Sequence, residues 1–86
     1  MNVTVYTQPG CQPCKATVRM LTRLGVPFEV LDVRADKAAG EYARSLGFLE
    51  TPVVVASWGG AFSDHTQTWA GFHPELIEAL SRKEAA

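Results

Sequence analysis

The chain has 86 residues, of which 47% are hydrophobic and 20% are charged, a composition typical of one globular domain spanning residues 1–86 rather than of a disordered segment. Its formal net charge of −1 gives no electrostatic reason to expect nucleic acid as a partner. No apolar run approaches the roughly 18 residues of a membrane span, and a strand pattern starts directly after Met1, which leaves no room for a signal peptide, so we expect a cytoplasmic protein that does not bind membranes.

The first half of the sequence predicts a strand, a helix and a second strand. Alternating β-branched residues over Asn2–Thr7 indicate the first strand, which "QPG" ends. A helix is expected from Cys11 to about Leu24, because apolar residues recur at helical spacing and Gly25 can end it. Its apolar stripe consists of Val18, Leu21 and Leu24. The sequence "FEVLDV", Phe28–Val33, predicts the second strand.

The second half predicts a further helix and a hairpin. Asp36 can cap a helix that Gly47 ends, and its apolar residues are Ala38, Ala39, Tyr42, Ala43 and Leu46. The third strand, Pro52–Ser57, is apolar enough to lie in the centre of a sheet. Because Gly59-Gly60 favours a hairpin turn, a short fourth strand is expected near Ala61–Ser63.

A last helix completes the predicted fold. Pro74 suits its first turn, His73 is expected to be an exposed residue of that turn, and the helix is expected to continue from Glu75 to about Arg82. Its inward residues should be Leu76, Ile77 and Leu80. Only the tail "KEAA" is expected to be dispensable. The resulting order predicts an α/β fold, a four-stranded mixed sheet with three helices (β-α-β-α-β-β-α), whose first two strands are parallel.

The only two cysteines, Cys11 and Cys14, lie where the first strand leads into the first helix. In a reducing cytoplasm, a pair separated by two residues is more often catalytic or metal-binding than a structural cross-link. The free N–H groups and the positive dipole end of a helix N-terminus stabilise a thiolate. We therefore predict that Cys11 is the exposed nucleophile and that Cys14, one turn further along, is the resolving thiol.

Metal binding is one alternative for the cysteine pair. Zinc normally takes four ligands, and the remaining candidates, His65 and His73, lie far downstream in the sequence. Another alternative, two small cysteines in the core, is disfavoured by the neighbouring prolines and by Gly10, which indicate a loop. Redox chemistry is the preferred interpretation, and no metal site is predicted.

A row of positive charge follows the pair along the first helix. Lys15, Arg19 and Arg23 recur every fourth residue, and no acidic residue occurs between Met1 and Phe28. This row is either an ordinary solvated helix face or a surface that stabilises the thiolate and receives an acidic segment of a partner, with Lys15 beside the pair. The same lack of acidic residues leaves the first strand without a carboxylate that could accept a proton from Cys14.

The segments "VYTQPGCQPCKAT" and "TPVVV" resemble the thioredoxin/glutaredoxin superfamily, and the resemblance extends over nearly the whole chain. It implies the thioredoxin/glutaredoxin fold and a cis peptide bond between Thr51 and Pro52, at the position that faces the cysteine pair in that fold. Thr51 would then offer its backbone groups to an extended substrate segment. The alternative is a trans proline that simply begins a strand.

A finer resemblance is to the NrdH-redoxins, which are glutaredoxin-like in sequence and thioredoxin-like in activity. Their marker Trp-Ser-Gly-Phe-Arg-Pro is matched in "WAGFHP" by Trp69, Gly71, Phe72 and Pro74. The resemblance implies a monomeric dithiol-disulfide oxidoreductase that thioredoxin reductase reduces with NADPH. It also implies electron donation to the large subunit of class Ib ribonucleotide reductase, with no bound cofactor besides the redox-active pair Cys11–Cys14.

Several assignments stay open at this point. Trp69 and Phe72 either form an apolar docking surface beside Cys11 or pack the last helix onto the sheet. The segment Ser57–Thr68 is longer than a simple hairpin loop requires, and its role is not explained by the sequence. Two other functions remain as alternatives: a glutathione-dependent glutaredoxin and a metal-carrying module built on the C-x-x-C pair.

Overall fold

The computed structural model describes residues 1–60 and 63–85, which form four strands and three helices. In chain order these are β1 (Asn2–Thr7), α1 (Gln12–Arg23), β2 (Glu29–Asp32), α2 (Lys37–Ser45), β3 (Val53–Gly60), β4 (Ser63–Ala70) and α3 (Pro74–Ala85). This order confirms the predicted one. The predicted end of the last helix near Arg82 is wrong, because lysine, glutamate and alanine are strong helix formers and nothing in the tail interrupts the helix.

The four strands form one mixed sheet in the spatial order β2-β1-β3-β4. β1 and β2 are parallel, as predicted, whereas β1–β3 and β3–β4 are antiparallel. The apolar strand β3 therefore lies in the interior of the sheet. In the β1–β3 register, Tyr6 is opposite Val53. As a result, the loop that leaves β1 and the residues that enter β3 meet at one end of the sheet.

Helices cover both faces of the sheet. Side chains alternate between the two faces along each strand, so each face carries its own cluster of buried residues. The face covered by α1 and α3 carries the larger core cluster, which consists of Val3, Val5, Leu21, Val26, Val54, Ala56, Trp69, Ile77 and Leu80. The face covered by α2 carries a smaller one, which consists of Tyr6, Ala39, Ala43 and Val53. The cysteine pair, which follows β1, thus lies at one end of a sheet that helices cover on both faces.

The helix ends follow the sequence signals closely. The carboxylate of Asp36 accepts a hydrogen bond from the backbone N–H of Ala39 at 3.0 Å, which confirms the predicted cap of α2. Leu24 is exposed rather than part of the apolar stripe, because α1 ends at Arg23 and Gly25 turns the chain with a φ of +73°. None of the helices in the described part of the chain is long and apolar enough to cross a bilayer.

The hairpin between β3 and β4 is not where the sequence predicted it. Gly59 and Gly60 are the last residues of β3 and pair with Asp64 and Ser63, so they do not form the turn. β4 begins at Ser63, where the predicted short strand ended, and the predicted positions Ala61 and Phe62 lie outside the described residues. Most of the unexplained segment is therefore a two-stranded ribbon.

Side-chain contacts explain why the strands continue through this ribbon. The rings of Trp58 and His65 stack across the two strands with their centroids 5.8 Å apart. The ammonium of Lys83, in the last turns of α3, lies 5.0 Å from the centre of the Trp58 ring, within cation–π range. Cross-strand aromatic contacts of this kind stabilise paired strands, and here they outweigh the tendency of the two glycines to form a turn.

The close approach of α2 to the end of β2 generates a prediction about stability. In a helix interior, Gly→Ala normally stabilises a protein by about 1 kcal/mol. A Cβ on Gly40, however, would lie 2.7 Å from the backbone oxygen of Val33. We expect Gly40→Ala to lower the free energy of unfolding by about 1 kcal/mol, as measured by urea denaturation, because the backbone must shift. The exposed neighbour Glu41→Ala serves as the control, and a gain in stability for Gly40→Ala would contradict the prediction.

Candidate active site

Cys11 lies at the point where the chain turns from β1 into α1. Gly10, with a φ of +74°, makes the turn, and Cys11 is the N-cap residue of α1. Its Sγ accepts a hydrogen bond from the backbone N–H of Cys14 at 3.2 Å. Pro13 lies in the first turn of the helix, where a missing N–H costs little. The sulfur of Cys11 thus lies at the N-cap position, where a negatively polarised atom is stabilised by the free N–H groups of the helix.

Cys14 lies one turn further along α1 and is much less accessible. The two Cα atoms are 5.2 Å apart and the two sulfurs are at disulfide-bonding distance. Cys14 is 4% exposed, whereas Cys11 is partly exposed. The geometry therefore makes Cys11 more accessible to a bulky partner than Cys14.

The loop before β3 reaches Cys11 through Thr51. The Thr51–Pro52 peptide bond is cis, as the resemblance implied. The hydroxyl of Thr51 donates a hydrogen bond to Sγ of Cys11 at 3.3 Å, and the carbonyl oxygen of Thr51 lies 3.5 Å from the same sulfur. A thiolate at Cys11 would accept hydrogen bonds from two donors, the Cys14 N–H and the Thr51 hydroxyl. Both contacts stabilise the charged form relative to the thiol.

The hydroxyl of Thr51 was not identified as a functional group from the sequence. Thr51 was expected to act through its backbone, and the sequence contains no local signal for a contact between residues 40 positions apart. Leu49 was missed as well, although it is fully exposed two residues before Thr51. The local signal for its exposure is its position between Gly47, which ends the helix, and the proline of the loop, and this signal is weak.

The segment that follows β4 is joined to the same loop. The backbone N–H of Gly71 donates a hydrogen bond to the carbonyl oxygen of Pro52 at 2.8 Å. Trp69, only 5% exposed, belongs to the core cluster under α1 and α3, whereas Phe72 is 39% exposed. The structure thus supports the packing interpretation for Trp69. Of these two aromatic residues, only Phe72 is exposed enough to contact a partner.

His73 and Glu75 fix the shape of this segment. Nε2 of His73 lies 2.9 Å from the carbonyl oxygen of Ala70, and Nδ1 lies 3.1 Å from Oε1 of Glu75. The backbone N–H of Glu75 itself, at the start of α3, and the His73 side chain lower the pKa of the Glu75 carboxyl. His73 precedes α3 and accepts its first backbone hydrogen bonds, so it is a capping residue rather than part of the first turn.

A cleft of about 460 Å³ opens on the other side of the cysteine pair, between α1 and β2. We call it the α1–β2 cleft. It is lined by Thr7, Gln8, Pro9, Gly10, Cys11, Cys14, Lys15, Val18, Arg19 and Val30. Lys15, predicted to lie beside the pair, does line this cleft. Thr51 and Phe72 do not, so the two sides of the dithiol are built from different residues.

The two histidines that were weighed as metal ligands lie in different parts of the fold. His65 stacks on Trp58 in the ribbon, and His73 is bound within the segment before α3. Over residues 1–60 and 63–85, no group of three or more His, Cys, Asp or Glu side chains is arranged to hold a metal ion.

Comparisons with known proteins agree with this geometry. The glutaredoxin family model matches residues 3–58. The chain is 35% identical over 80 residues to the glutaredoxin-like protein NrdH of Escherichia coli K12, covering 93% of this chain and 89% of that protein. It is also 35% identical over 79 residues to the gene 56 protein of Mycobacterium phage L5, covering 91% and 70%. The solved structure of the E. coli NrdH-redoxin, described as glutaredoxin-like with a thioredoxin-like activity profile, superposes with a TM-score of 0.76 over 93% of this chain and 95% of that chain, at 35% identity.

The contact between Thr51 and Cys11 predicts a change in thiol reactivity. Thr51→Val removes the hydroxyl donor and keeps the branched shape of the side chain, so the Cys11 thiolate loses one of its two hydrogen bonds. We expect iodoacetamide to alkylate Cys11 roughly 5- to 10-fold more slowly at pH 7, measured in a Cys14→Ser background. Thr22→Val, at the far end of α1, is the matched control. Equal rates for Thr51→Val and its parent would refute a role for the hydroxyl.

The different burial of Trp69 and Phe72 predicts different effects on stability. Trp69→Ala should lower the free energy of unfolding by about 3–5 kcal/mol, because it leaves a cavity under α1 and α3. Phe72→Ala should change it by about 1 kcal/mol or less, because the residue is 39% exposed and lies outside the core cluster. Urea denaturation of the two variants tests both values. A large loss for Phe72→Ala would show that the ring contributes to packing.

Proposed function

Because the chain belongs to the NrdH-redoxins, glutaredoxin-like thiol-disulfide oxidoreductases of the thioredoxin superfamily, we propose that it is a dithiol electron carrier. Thioredoxin reductase reduces it with NADPH, and it passes the electrons to the large subunit of class Ib ribonucleotide reductase. The observation that carries the proposal is the sulfur of Cys11, which caps α1, accepts hydrogen bonds from two donors and lies next to the buried Cys14.

The reaction proceeds by two thiol-disulfide exchanges. The Cys11 thiolate attacks one sulfur of the substrate disulfide, and a mixed disulfide forms while the other substrate sulfur leaves as a thiolate and takes up a proton. Cys14 then releases its proton to the solvent and attacks Sγ of Cys11. The second substrate thiolate leaves. The substrate has gained two electrons, and the carrier holds the Cys11–Cys14 disulfide.

Thr51 positions the substrate for the first exchange. Over residues 1–60 and 63–85, its N–H and C=O take part in no backbone–backbone hydrogen bond, and the C=O contacts the sulfur of Cys11 at 3.5 Å. An extended segment that adds alongside the loop, as strand-addition recognition requires, would bind these two groups. Leu49 precedes Thr51 by two residues and Phe72 follows Gly71, which is hydrogen-bonded to Pro52, so both exposed apolar residues belong to segments that adjoin Thr51. This arrangement suits a folded protein partner better than a small thiol.

The position of the glycine pair argues for thioredoxin reductase rather than glutathione as the reductant. In glutaredoxins, the segment before the last helix carries a glycine pair and acidic residues that hold glutathione. Here Gly59 and Gly60 instead end β3, six and seven residues beyond Val53, which places them roughly 20–23 Å from the loop of Thr51. The residues next to that loop are instead Gly71 and Phe72. The proposal accordingly includes no bound cofactor, and it places the protein in the cytoplasm, where NADPH-dependent reductases keep dithiols reduced.

A coupled reduction assay tests the proposal. The oxidised protein is mixed with NADPH and thioredoxin reductase in one cuvette, and with NADPH, glutathione and glutathione reductase in another. We expect rapid NADPH oxidation in the first cuvette only, because the apolar surface at Leu49 and Phe72 receives a protein reductase. Cys11→Ser and Cys14→Ser should each abolish NADPH oxidation, because neither variant can form the Cys11–Cys14 disulfide that the reductase reduces.

Turnover with glutathione alone would instead make the protein a glutathione-dependent glutaredoxin. If thioredoxin reductase is active, the same cuvette supplemented with class Ib ribonucleotide reductase tests the electron acceptor through deoxyribonucleotide formation. No product with the reduced carrier would refute that acceptor.

A further inference from the structure

An apolar strip in the α1–β2 cleft has no use in the exchange steps described so far. Val30 is 45% exposed although it lies in a strand and pairs with the fully buried Val5. The reason is that β2 is an edge strand and a cleft lies between it and α1. Val18 of α1 lines the cleft opposite Val30. The cleft, which both cysteines also line, therefore contains an apolar strip formed by Val18 and Val30.

Two cations line the same cleft. Lys15 and Arg19 are one helical turn apart and both are exposed. Neither makes a salt bridge to an acidic residue in the described part of the chain. Among the described residues that line the cleft, they are the only titratable groups besides the cysteines, and neither α1 nor the loop before it contains an acidic residue. Glu29 and Asp32 of β2 lie close to Val30 along the chain but do not line the cleft. The charges that line the cleft are thus positive, and the N-terminal dipole of α1 adds to them.

We propose that the α1–β2 cleft binds an acidic polypeptide segment that adjoins the substrate disulfide. Its carboxylates pair with Lys15 and Arg19, and one of its apolar side chains lies on Val18 and Val30. Cys11 contacts Thr51 and also lines the cleft, so a chain held by Thr51 would enter the cleft where it passes Cys11. The inference rests on the proposed function, since it specifies which disulfides the carrier prefers.

Charge complementarity decides between this occupant and a neutral or basic one. A basic segment would bring like charges together at Lys15 and Arg19, and a neutral segment would leave both cations without partners. Arg23 continues the row of positive charge but does not line the cleft. It is therefore an internal control that separates a specific site from the general charge of the helix.

Matched disulfide peptides test the inference. Three peptides share one Cys–Cys loop and one leucine and differ only in three flanking residues, which are Glu, Gln or Lys. The second-order rate constant for oxidation of the reduced protein is measured for each. We expect the Glu peptide to react roughly 5- to 10-fold faster than the Gln peptide at low salt, and the advantage to shrink in 0.5 M salt.

The variants are compared by the ratio of the Glu to the Gln rate, which cancels any change in the intrinsic reactivity of Cys11. Lys15→Gln and Arg19→Gln should each lower the ratio roughly 2- to 3-fold, and the double variant should bring it close to one. Val30→Glu should also lower the ratio, because its carboxylate repels the Glu peptide and removes the apolar contact. Arg23→Gln should keep the wild-type ratio. A wild-type ratio of one, or an equal loss for Arg23→Gln, would overturn the inference.

A binding experiment separates failure of the inference from failure of the proposed function. The Glu peptide with serine in place of both cysteines is titrated into the oxidised protein, and the methyl NMR signals of Val18 and Val30 are followed. Shifts at these methyls support the cleft as the site even if no disulfide peptide is reduced, an outcome that would refute the carrier function alone. No shift, or stronger shifts with oxidised glutathione than with the peptide, would refute the acidic segment as the occupant.

Discussion

The antiparallel register of β1 and β3 is the constraint on which the redox centre depends. Because Tyr6 is opposite Val53, the chain leaves β1 toward Cys11 at the same edge where Thr51 and Pro52 enter β3. A slip of one residue would turn every side chain of β3 to the other face and move Thr51 away from the sulfur. The buried valines of β3, which pack on helices on both sides of the sheet, hold the register against such a slip.

The hydrogen bonds to the sulfur of Cys11 affect both the stability of α1 and the reactivity of the thiol. The Cys14 N–H that binds the sulfur of Cys11 is also one of the free donors that any helix N-terminus must satisfy, so capping the helix and stabilising the thiolate are the same interaction. The hydroxyl of Thr51 adds a donor from a distant part of the chain. Folding and reactivity therefore depend on one sulfur, and a change at Cys11 affects both.

Local sequence signals predicted the element order, the mixed sheet, the cap at Asp36 and the placement of Cys11 at a helix start. They did not predict the position of the hairpin, because the contact of Trp58 with His65 and Lys83 arises only once β4 and α3 are in place. The Thr51 hydroxyl contact and the exposure of Val30 were also out of reach. Each depends on which strand or loop becomes a neighbour in three dimensions.

The ribbon formed by the ends of β3 and β4 extends past the start of β1, since Asn2 pairs with Ser57 and the pairing continues to Gly60 and Ser63. The redox centre lies at the opposite end of the sheet. The ribbon is therefore a natural point of attachment: a protein tethered there to a gold electrode or a sensor chip would present Cys11 and its surroundings to the solution. Its electron exchange could then be recorded directly, with the docking surfaces on both sides of the dithiol left open.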